Sequence, residues 1–420
     1  MKIVIRKNIS CYIGAFLLIA FVYVNSGSVY MAVYASELQQ INLILATIFF
    51  VLDFEKWTMR TKETSGNFHV SSYYCVYCGY GDMGGNISVG TLFIKCSSFF
   101  IYVIKLLKKV DYQIFIKCFV TFMTILAAIS LICWSNTEFF MNSFPGFYIE
   151  STGMRYKTCI FYCMNIDVPN RNGGIFWEPG MYQGFLNFAL LLLALKPKPK
   201  VKDIISAVIL VLTILSTYST TGYAVMFCIG ILCMYKLIYS HNKVFAYIVT
   251  ILALIIVFGL GFNDTIMSAI YSVLPNSVTQ KIETQNISYT TRVYSIYSDL
   301  VLSIRYPLGV GRAQANNLIQ ILVNAMGSKV DARTSSITTA YVYYGIGMGI
   351  YYTVLWIRGC LRFSEKSIGY FICIIAIMAM ILNSEPMFYH VFFTCVLFYW
   401  NTRKAEFYLE ESVNESHLVM

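Results

Sequence analysis

NGGIFWEPGMYQGFLNFALLLLALKPKPK, residues 172–200, decides how the rest of the chain is read. Pro179 suits the first turn of a helix, where its missing N–H costs nothing, so a helix is expected to begin there and run to Leu195. The run is apolar and ends in a cluster of lysines. Glu178 stands at its mouth, where the positive end of a helix favours a carboxylate, and Arg171 in the glycine-containing turn before it can reach the same place. Two readings follow: a plain helix-start ion pair, or a polar site at the rim of a membrane helix.

Composition favours the membrane. Of 420 residues, 58% are hydrophobic and 12% charged, and the mean hydropathy is +0.64. A soluble domain has about 45–50% apolar and about 25% charged residues. Runs close to the roughly 20 residues that cross a bilayer recur along the chain. They predict spans near 11–31, 38–52, 88–107, 112–133, 177–195, 201–218, 220–240, 244–262, 339–357, 367–383 and 386–400. The stretch FHVSSYYCVYCGYGDMGG from Phe68 adds a short or re-entrant crossing as a twelfth. The expected fold is all-α: a polytopic integral membrane protein of about 11–12 helices, with one transmembrane domain over residues 1–405 and a cytoplasmic tail over 406–420. The runs are continuous, so the alternating strands of an outer-membrane barrel are not expected. The first run has no small-residue cleavage site and reads as the first span rather than a signal peptide.

Lysine clusters at 105–109, 196–202 and 236–243, the set Arg358, Arg362 and Lys366, and Arg403 with Lys404, orient the spans by the positive-inside tendency. Two longer polar segments, about 134–176 and 263–338, then lie outside. Lys2, Arg6 and Lys7 suggest an inside N-terminus, which needs an even number of spans and so favours the twelfth. The net charge of +10 is mostly used up by this topology signal and does not point to nucleic acid.

Arginine breaks the pattern. Only Lys157, Lys281 and Lys329 fall in the outer segments, whereas six of eleven arginines do: Arg155, Arg171, Arg292, Arg305, Arg312 and Arg333. A planar guanidinium suits bidentate recognition of phosphate or carboxylate. The outer face reads as built for an anion, although pairing with outer acids such as Glu138, Asp167 and Asp299 accounts equally well for any single arginine. The thirteen cysteines lie mostly within spans and read as small apolar residues. Cys75 and Cys78 make a lone CxxC, with no second pair or histidine cluster to complete a metal site. No P-loop is present.

Three further polar stretches fall on the same side. LSTYSTTGYAVMF, 215–227, joins two spans through a turn dense in hydroxyls, either to bind sugar hydroxyls or to satisfy loosened backbone. SIRYPLGVGRAQANN, 303–317, ends one element at Pro307 and opens a polar helix near Arg312, where backbone N–H groups can hold an anion. ILNSEPMFYHVFF, 381–393, places Glu385 and His390 beside hydrocarbon, where ionisable groups default to function.

R-N-G-G-I-F-W-E-P-G at 171–180, S-T-T-G-Y at 219–223, P-L-G-V-G at 307–311, T-S-S-I-T-T-A-Y-V-Y-Y-G-I-G at 334–347 and S-E-P-M-F-Y-H at 384–390 resemble, in order and spacing, the bacterial O-antigen polymerase and ligase family. The likeness runs from about residue 130 to the end. It implies a membrane glycosyltransferase of GT-C type in the bacterial cytoplasmic membrane, with its active site facing outside. Such an enzyme transfers a glycan from undecaprenyl pyrophosphate to another lipid-linked repeat unit, for O-antigen, capsule or exopolysaccharide. No cofactor, metal or nucleotide sugar is implied. Membrane lipid, a chain-length regulator and a flippase are the implied partners. On this resemblance Arg171, Arg292, Arg305 and Arg312 would hold pyrophosphate, Glu178, Glu385 or His390 would act as base, and Ser219, Thr220, Thr221 and Tyr223 would contact sugar. The ligase branch carries a histidine in its long outer loop, and 263–338 has none, which favours polymerase. A flippase or transporter of a lipid-linked sugar would use the same arginines without a base; a passive scaffold would not explain the arginine bias.

Overall fold

The computed structural model describes residues 112–149, 153–196, 198–239, 295–325, 335–364 and 368–385, with isolated positions at 12, 15, 19, 28–30, 244–245, 248, 393 and 396. The expected spans at 38–52 and 88–107, the stretch from Phe68, the candidates Arg292 and His390, and most of 11–31, 244–262 and 386–400 lie outside the described residues. The described chain is mostly helical. It divides into two compact units, one of residues 1–222 with 389–420 and one of residues 223–388.

The first unit is organised around the helix that the opening stretch predicts. α1 spans Tyr112–Ser135, α2 Thr137–Ser143, α3 Pro179–Ala194 and α4 Val201–Ser216; α5, Thr220–Tyr239, crosses the unit boundary after Gly222. α3 has Pro at its start and Leu195 as its C-terminal cap, as expected. Every residue from Gly180 to Leu193 is buried, so α3 is a core helix enclosed on all sides. α1, α3 and α4 pack pairwise on one another. α1 and α5 are long and apolar enough to cross a membrane. α3 and α4, expected over 177–195 and 201–218, have 16 residues each. At about 1.5 Å per residue each reaches about 24 Å, short of a hydrocarbon core of about 30 Å.

The lysines before α4 help to start it. Asp203 accepts from Lys196 Nζ at 2.8 Å and from the Lys200 N–H at 2.9 Å, which closes the first turn of α4. The outward face of α4 carries exposed Val201, Ile204, Ile205, Val208, Leu212 and Leu215, a helical stripe of the kind that contacts lipid.

The all-α expectation needs one correction. Residues 146–165, read as part of a polar outer loop, form a three-stranded antiparallel sheet of β1 Gly146–Ile149, β2 Met154–Cys159 and β3 Tyr162–Asn165 in the order β1-β2-β3. Tyr156 faces Phe147 on one side and Asn165 on the other. Alternation supports it: in β2, Arg155 is exposed and Tyr156 buried. One set of apolar side chains, Ile149, Tyr156 and Cys163, packs with Val29, while Tyr162 and Met164 pack with Phe140; the Phe140 and Tyr162 rings meet edge to face at 4.9 Å.

The second unit holds the rest of α5, a helical segment over 295–305, α6 Gly311–Ala325, α7 Ser336–Phe363 and α8 Ile368–Ser384. α7 packs on α6 and α8. α7 covers the expected span 339–357 but is broken at Gly345, which has φ 87° and ψ 169°. The break frees two backbone groups, and the Pro307–Val310 loop takes both. Val310 N–H donates to Val342 O and Ile346 N–H donates to Pro307 O, each at 2.9 Å. The kink is thus a docking point with its polar groups satisfied by a neighbour.

Candidate functional site

In the first unit, the segment 171–178 is pinned at almost every residue. Asn172 is fully buried: Nδ2 donates to Ser130 Oγ at 3.1 Å and to Ser216 Oγ at 3.0 Å, and Oδ1 accepts from the Gly174 N–H at 3.0 Å. Ser130 Oγ lies 2.9 Å from the Tyr182 hydroxyl, so one amide ties α1, α3 and α4 together. Gly174, at φ +58°, rests on Tyr182; a Cβ there would fall 2.7 Å from the ring. The Cys163 N–H donates to Gly174 O at 2.7 Å and the Tyr156 hydroxyl to Trp177 O at 2.9 Å, which fastens the same turn to the sheet.

Arg171 is half-buried and points at the end of α4. Its Nε donates to Thr217 O at 3.2 Å and its Nη2 to Tyr218 O at 3.3 Å. These carbonyls end a helix and lack intrahelical partners, so a guanidinium there both hydrogen-bonds and complements the helix dipole. Tyr218 takes φ 49°, unusual for a non-glycine residue, and its ring lies 6.4 Å from that of Trp134. Glu178 is half-buried at the α3 N-cap position, and its carboxylate makes no capping bond.

The hydroxyl turn is largely spent on backbone. Ser216 Oγ donates to Thr213 O, Thr217 Oγ1 to Ile214 O, each at 2.7 Å, and Ser219 Oγ accepts from the Gly222 N–H at 3.3 Å. Of the proposed sugar contacts, Ser219 is buried, Thr220 exposed, and Thr221 and Tyr223 half-buried, with Tyr223 assigned to the second unit. Behind the turn, Asn187 Nδ2 bonds Gln183 Oε1 at 2.9 Å and Gly222 O at 3.1 Å. Both side chains are fully buried, and Gln183 Nε2 and Asn187 Oδ1 have no hydrogen-bond partner among the described residues.

The second unit gathers residues from three of the quoted stretches. Asp299, fully buried, accepts from Thr338 Oγ1 at 2.6 Å. Thr338 Oγ1 lies 2.5 Å from Ser335 Oγ, and Ser335 Oγ donates to Asn383 Oδ1 at 2.8 Å. Ser335 also caps α7 by accepting from the Thr338 N–H. Ser336 Oγ donates to the main-chain carbonyl of Glu385 at 2.9 Å, and Ser303 Oγ to that of Asp299 at 2.5 Å. Glu385 is half-buried. Arg305 is exposed, its guanidinium 5.9 Å from the Tyr306 ring centre. Arg312 lies in the first turn of α6, as the sequence predicts.

The candidates therefore fall into two sets. Arg171, Glu178, Ser219, Thr220 and Thr221 belong to the first unit; Tyr223, Arg305, Arg312 and Glu385 belong to the second. At the three-stranded sheet Arg155 pairs with an acid, its Nη2 donating to Asp167 Oδ1 at 2.5 Å. That bond holds the exposed Asp167 carboxyl below the usual carboxylate range against a smaller upward effect of burial. Burial pushes the Cys163 thiol up to about 12, offset in part by its contact with Thr158. Among the described residues no group of three or more His, Cys, Asp or Glu is placed to hold a metal.

No family model, curated protein or solved structure matches the chain.

Reading the sequence missed Asn172, Gln183, Asn187, Asp299 and Thr338. Gln183 and Asn187 gave a visible signal, two amides four residues apart inside an apolar run. In the sequence Asp299 reads only as a counter-charge for arginine, because nothing local distinguishes a carboxylate that will be desolvated from one on a surface. What the second unit offers chemically is a water-excluded carboxylate joined to hydroxyls, together with an exposed guanidinium on the same helical segment.

Proposed function

We propose that the chain is a polytopic membrane glycosyltransferase of GT-C type. It polymerises undecaprenyl-pyrophosphate-linked oligosaccharide repeat units at the outer face of the bacterial cytoplasmic membrane, for O-antigen, capsule or exopolysaccharide. The observation that carries this reading is that separate segments of the second unit converge on the 334–347 stretch: P-L-G-V-G at Val342 and Ile346, Glu385 at Ser336, and the fully buried Asp299 at Thr338. Such a meeting is expected if those stretches serve one site. The arginine excess of the outer segments supports it: the leaving pyrophosphate needs charge stabilisation as the anomeric carbon passes through an oxocarbenium-like state, and the acceptor hydroxyl needs a base. Within the second unit Arg305 and Arg312 are the proposed anion ligands and Glu385 a base candidate; Arg171 and Glu178 of the first unit, and Arg292 and His390 outside the described residues, are candidates on the resemblance alone.

A transporter of lipid-linked sugar is the second reading, and the break in α7 is what favours it, since transporters use discontinuous helices for ion and substrate sites. Here the Val342 carbonyl and the Ile346 N–H released at the break are both taken by the 307–310 loop, which weighs against that use.

The test is purified protein in nanodiscs with a synthetic undecaprenyl-pyrophosphate repeat unit and no nucleotide, following product length by mass spectrometry. A ladder of longer lipid-linked glycans is expected. Unchanged substrate that still exchanges between leaflets would move the transporter to first place. Within the same assay Arg171→Ala should abolish polymer while the protein remains in the membrane; full-length polymer removes Arg171 from the anion ligands.

A further inference from the structure

Resting on the glycan-transfer reading, we infer that Asp299 is the ultimate acceptor of the acceptor sugar's proton and that Thr338 relays it. Carboxylates are almost never fully buried unless a specific arrangement holds them, and Asp299 has 0% exposure. Its Oδ2 lies 2.6 Å from Thr338 Oγ1, well within the reach required of a general base and its relay. Thr338 is half-buried, so it is the member of the pair that reaches the surface. Position is over-determined. Thr338 sits in the first turn of α7, with its hydroxyl 2.5 Å from Ser335 Oγ, itself bonded to Asn383 on α8. Ser303 fastens the main chain at Asp299 from the next turn of its own segment. Three chain segments thus fix one hydroxyl against one carboxylate. A threonine needed only for helix capping would not require an acid behind it, because Ser335 already supplies the cap.

The step balances as follows. The acceptor hydroxyl gives its proton to Thr338 Oγ1 as the Thr338 proton passes to Asp299 Oδ2. The acceptor oxygen's electron pair forms the new bond to the anomeric carbon. The bond from that carbon to the pyrophosphate oxygen breaks and its electron pair leaves with the pyrophosphate. Asp299 is reset when its proton passes back through Thr338 to the released undecaprenyl pyrophosphate, the base formed in the step, before the next turnover. In this scheme Asp299 acts through Thr338, and Glu385 contributes its main-chain carbonyl to Ser336 at the same helix start.

The experiment uses the full chain in nanodiscs with the synthetic lipid-linked repeat, comparing wild type with Asp299→Asn, Thr338→Val and Thr338→Ser for kcat, KM and melting temperature. Asp299→Asn keeps an oxygen that can accept the Thr338 hydroxyl, so a purely structural role would leave it close to wild type. The relay predicts that Asp299→Asn and Thr338→Val lower kcat by about 10²–10⁴-fold with KM little changed, the range general-base catalysis supplies. Thr338→Ser should retain most of the rate. Wild-type kcat in Asp299→Asn, or a loss that appears in KM or tracks a fall in melting temperature, overturns the relay while leaving the polymerase reading intact. A wild-type chain that makes no longer glycan overturns both.

Discussion

Gly309 and Gly345 cross so closely that a Cβ on Gly309 would fall 2.5 Å from the Gly345 nitrogen, and one on Gly345 would fall 2.6 Å from Pro307 O. Both residues have positive φ, 83° and 87°. Neither geometry nor space admits a side chain, and the contact is what lets the 307–310 loop complete the hydrogen bonding of the broken helix.

Alanine at either position should therefore lower stability, by about 1–3 kcal/mol from the backbone conformation alone and more from the clash. Gly347, on the same helix, has nothing within 4 Å of its notional Cβ. Gly347→Ala is expected to be neutral or to stabilise by up to about 1 kcal/mol. Thermal melts of the three variants in one detergent decide this; equal effects at 345 and 347 would show that the crossing does not matter.

Among the described residues the amides of α3 form an incompletely satisfied buried pair, with Gln183 Nε2 and Asn187 Oδ1 both without a partner. Truncating one partner strands the other, so Asn187→Leu alone should cost about 1–3 kcal/mol. Replacing both with leucine removes the polar burden altogether and should be close to neutral or stabilising. The double-mutant cycle, read as melting temperatures, should be strongly non-additive; additive losses would show that each amide is satisfied independently.

Asp167 gives a pH effect whose sign follows from its bond to Arg155. Its folded carboxyl titrates below the unfolded value of about 3.9. The stability it contributes is thus present above that value and is lost as the pH falls through the depressed folded value. The difference in melting temperature between wild type and Asp167→Asn should be seen near neutral pH and shrink toward zero in strong acid. Because Arg155 and Asp167 side chains are 61% and 39% exposed, it should also shrink in high salt.

Cys163 should be inert. Its thiol is buried in the sheet and pushed up to about 12, so almost none is thiolate near neutral pH. Maleimide labelling followed by peptide mass spectrometry should find Cys163 unmodified in the folded protein and modified after denaturation. Rapid labelling under native conditions would mean that the 171–178 turn, whose Gly174 carbonyl holds the Cys163 N–H, opens readily.

Much of the helical frame was legible because its signals are local. Pro179 starts α3, Pro307 ends the segment before α6, and the hydroxyl turn at 217–219 separates α4 from α5, each within about two residues of the expected place. The sheet at 146–165 escapes a sequence reading because its strands have only four to six residues and the central one carries Arg155 and Lys157 at alternate positions, which reads as polar loop until the other face is buried. In the sequence Arg171 reads as a charge at a helix mouth; that it also closes the end of α4 depends on a residue 46 positions away.

By itself the sequence determined where the apolar runs among the described residues become helices, where Gly and Pro interrupt them, and which polar segments concentrate arginine, because those follow from composition and short-range stereochemistry. Tertiary structure alone decided that Asn172 would join α1, α3 and α4, that the 307–310 loop would fill the break in α7, and that Asp299 would lose its water to face Thr338. The partners of Asp299 and Ser335 lie 39 and 48 residues along the chain. Desolvation and hydrogen-bond partnership depend on what arrives from such distances, and no local preference of the backbone encodes that.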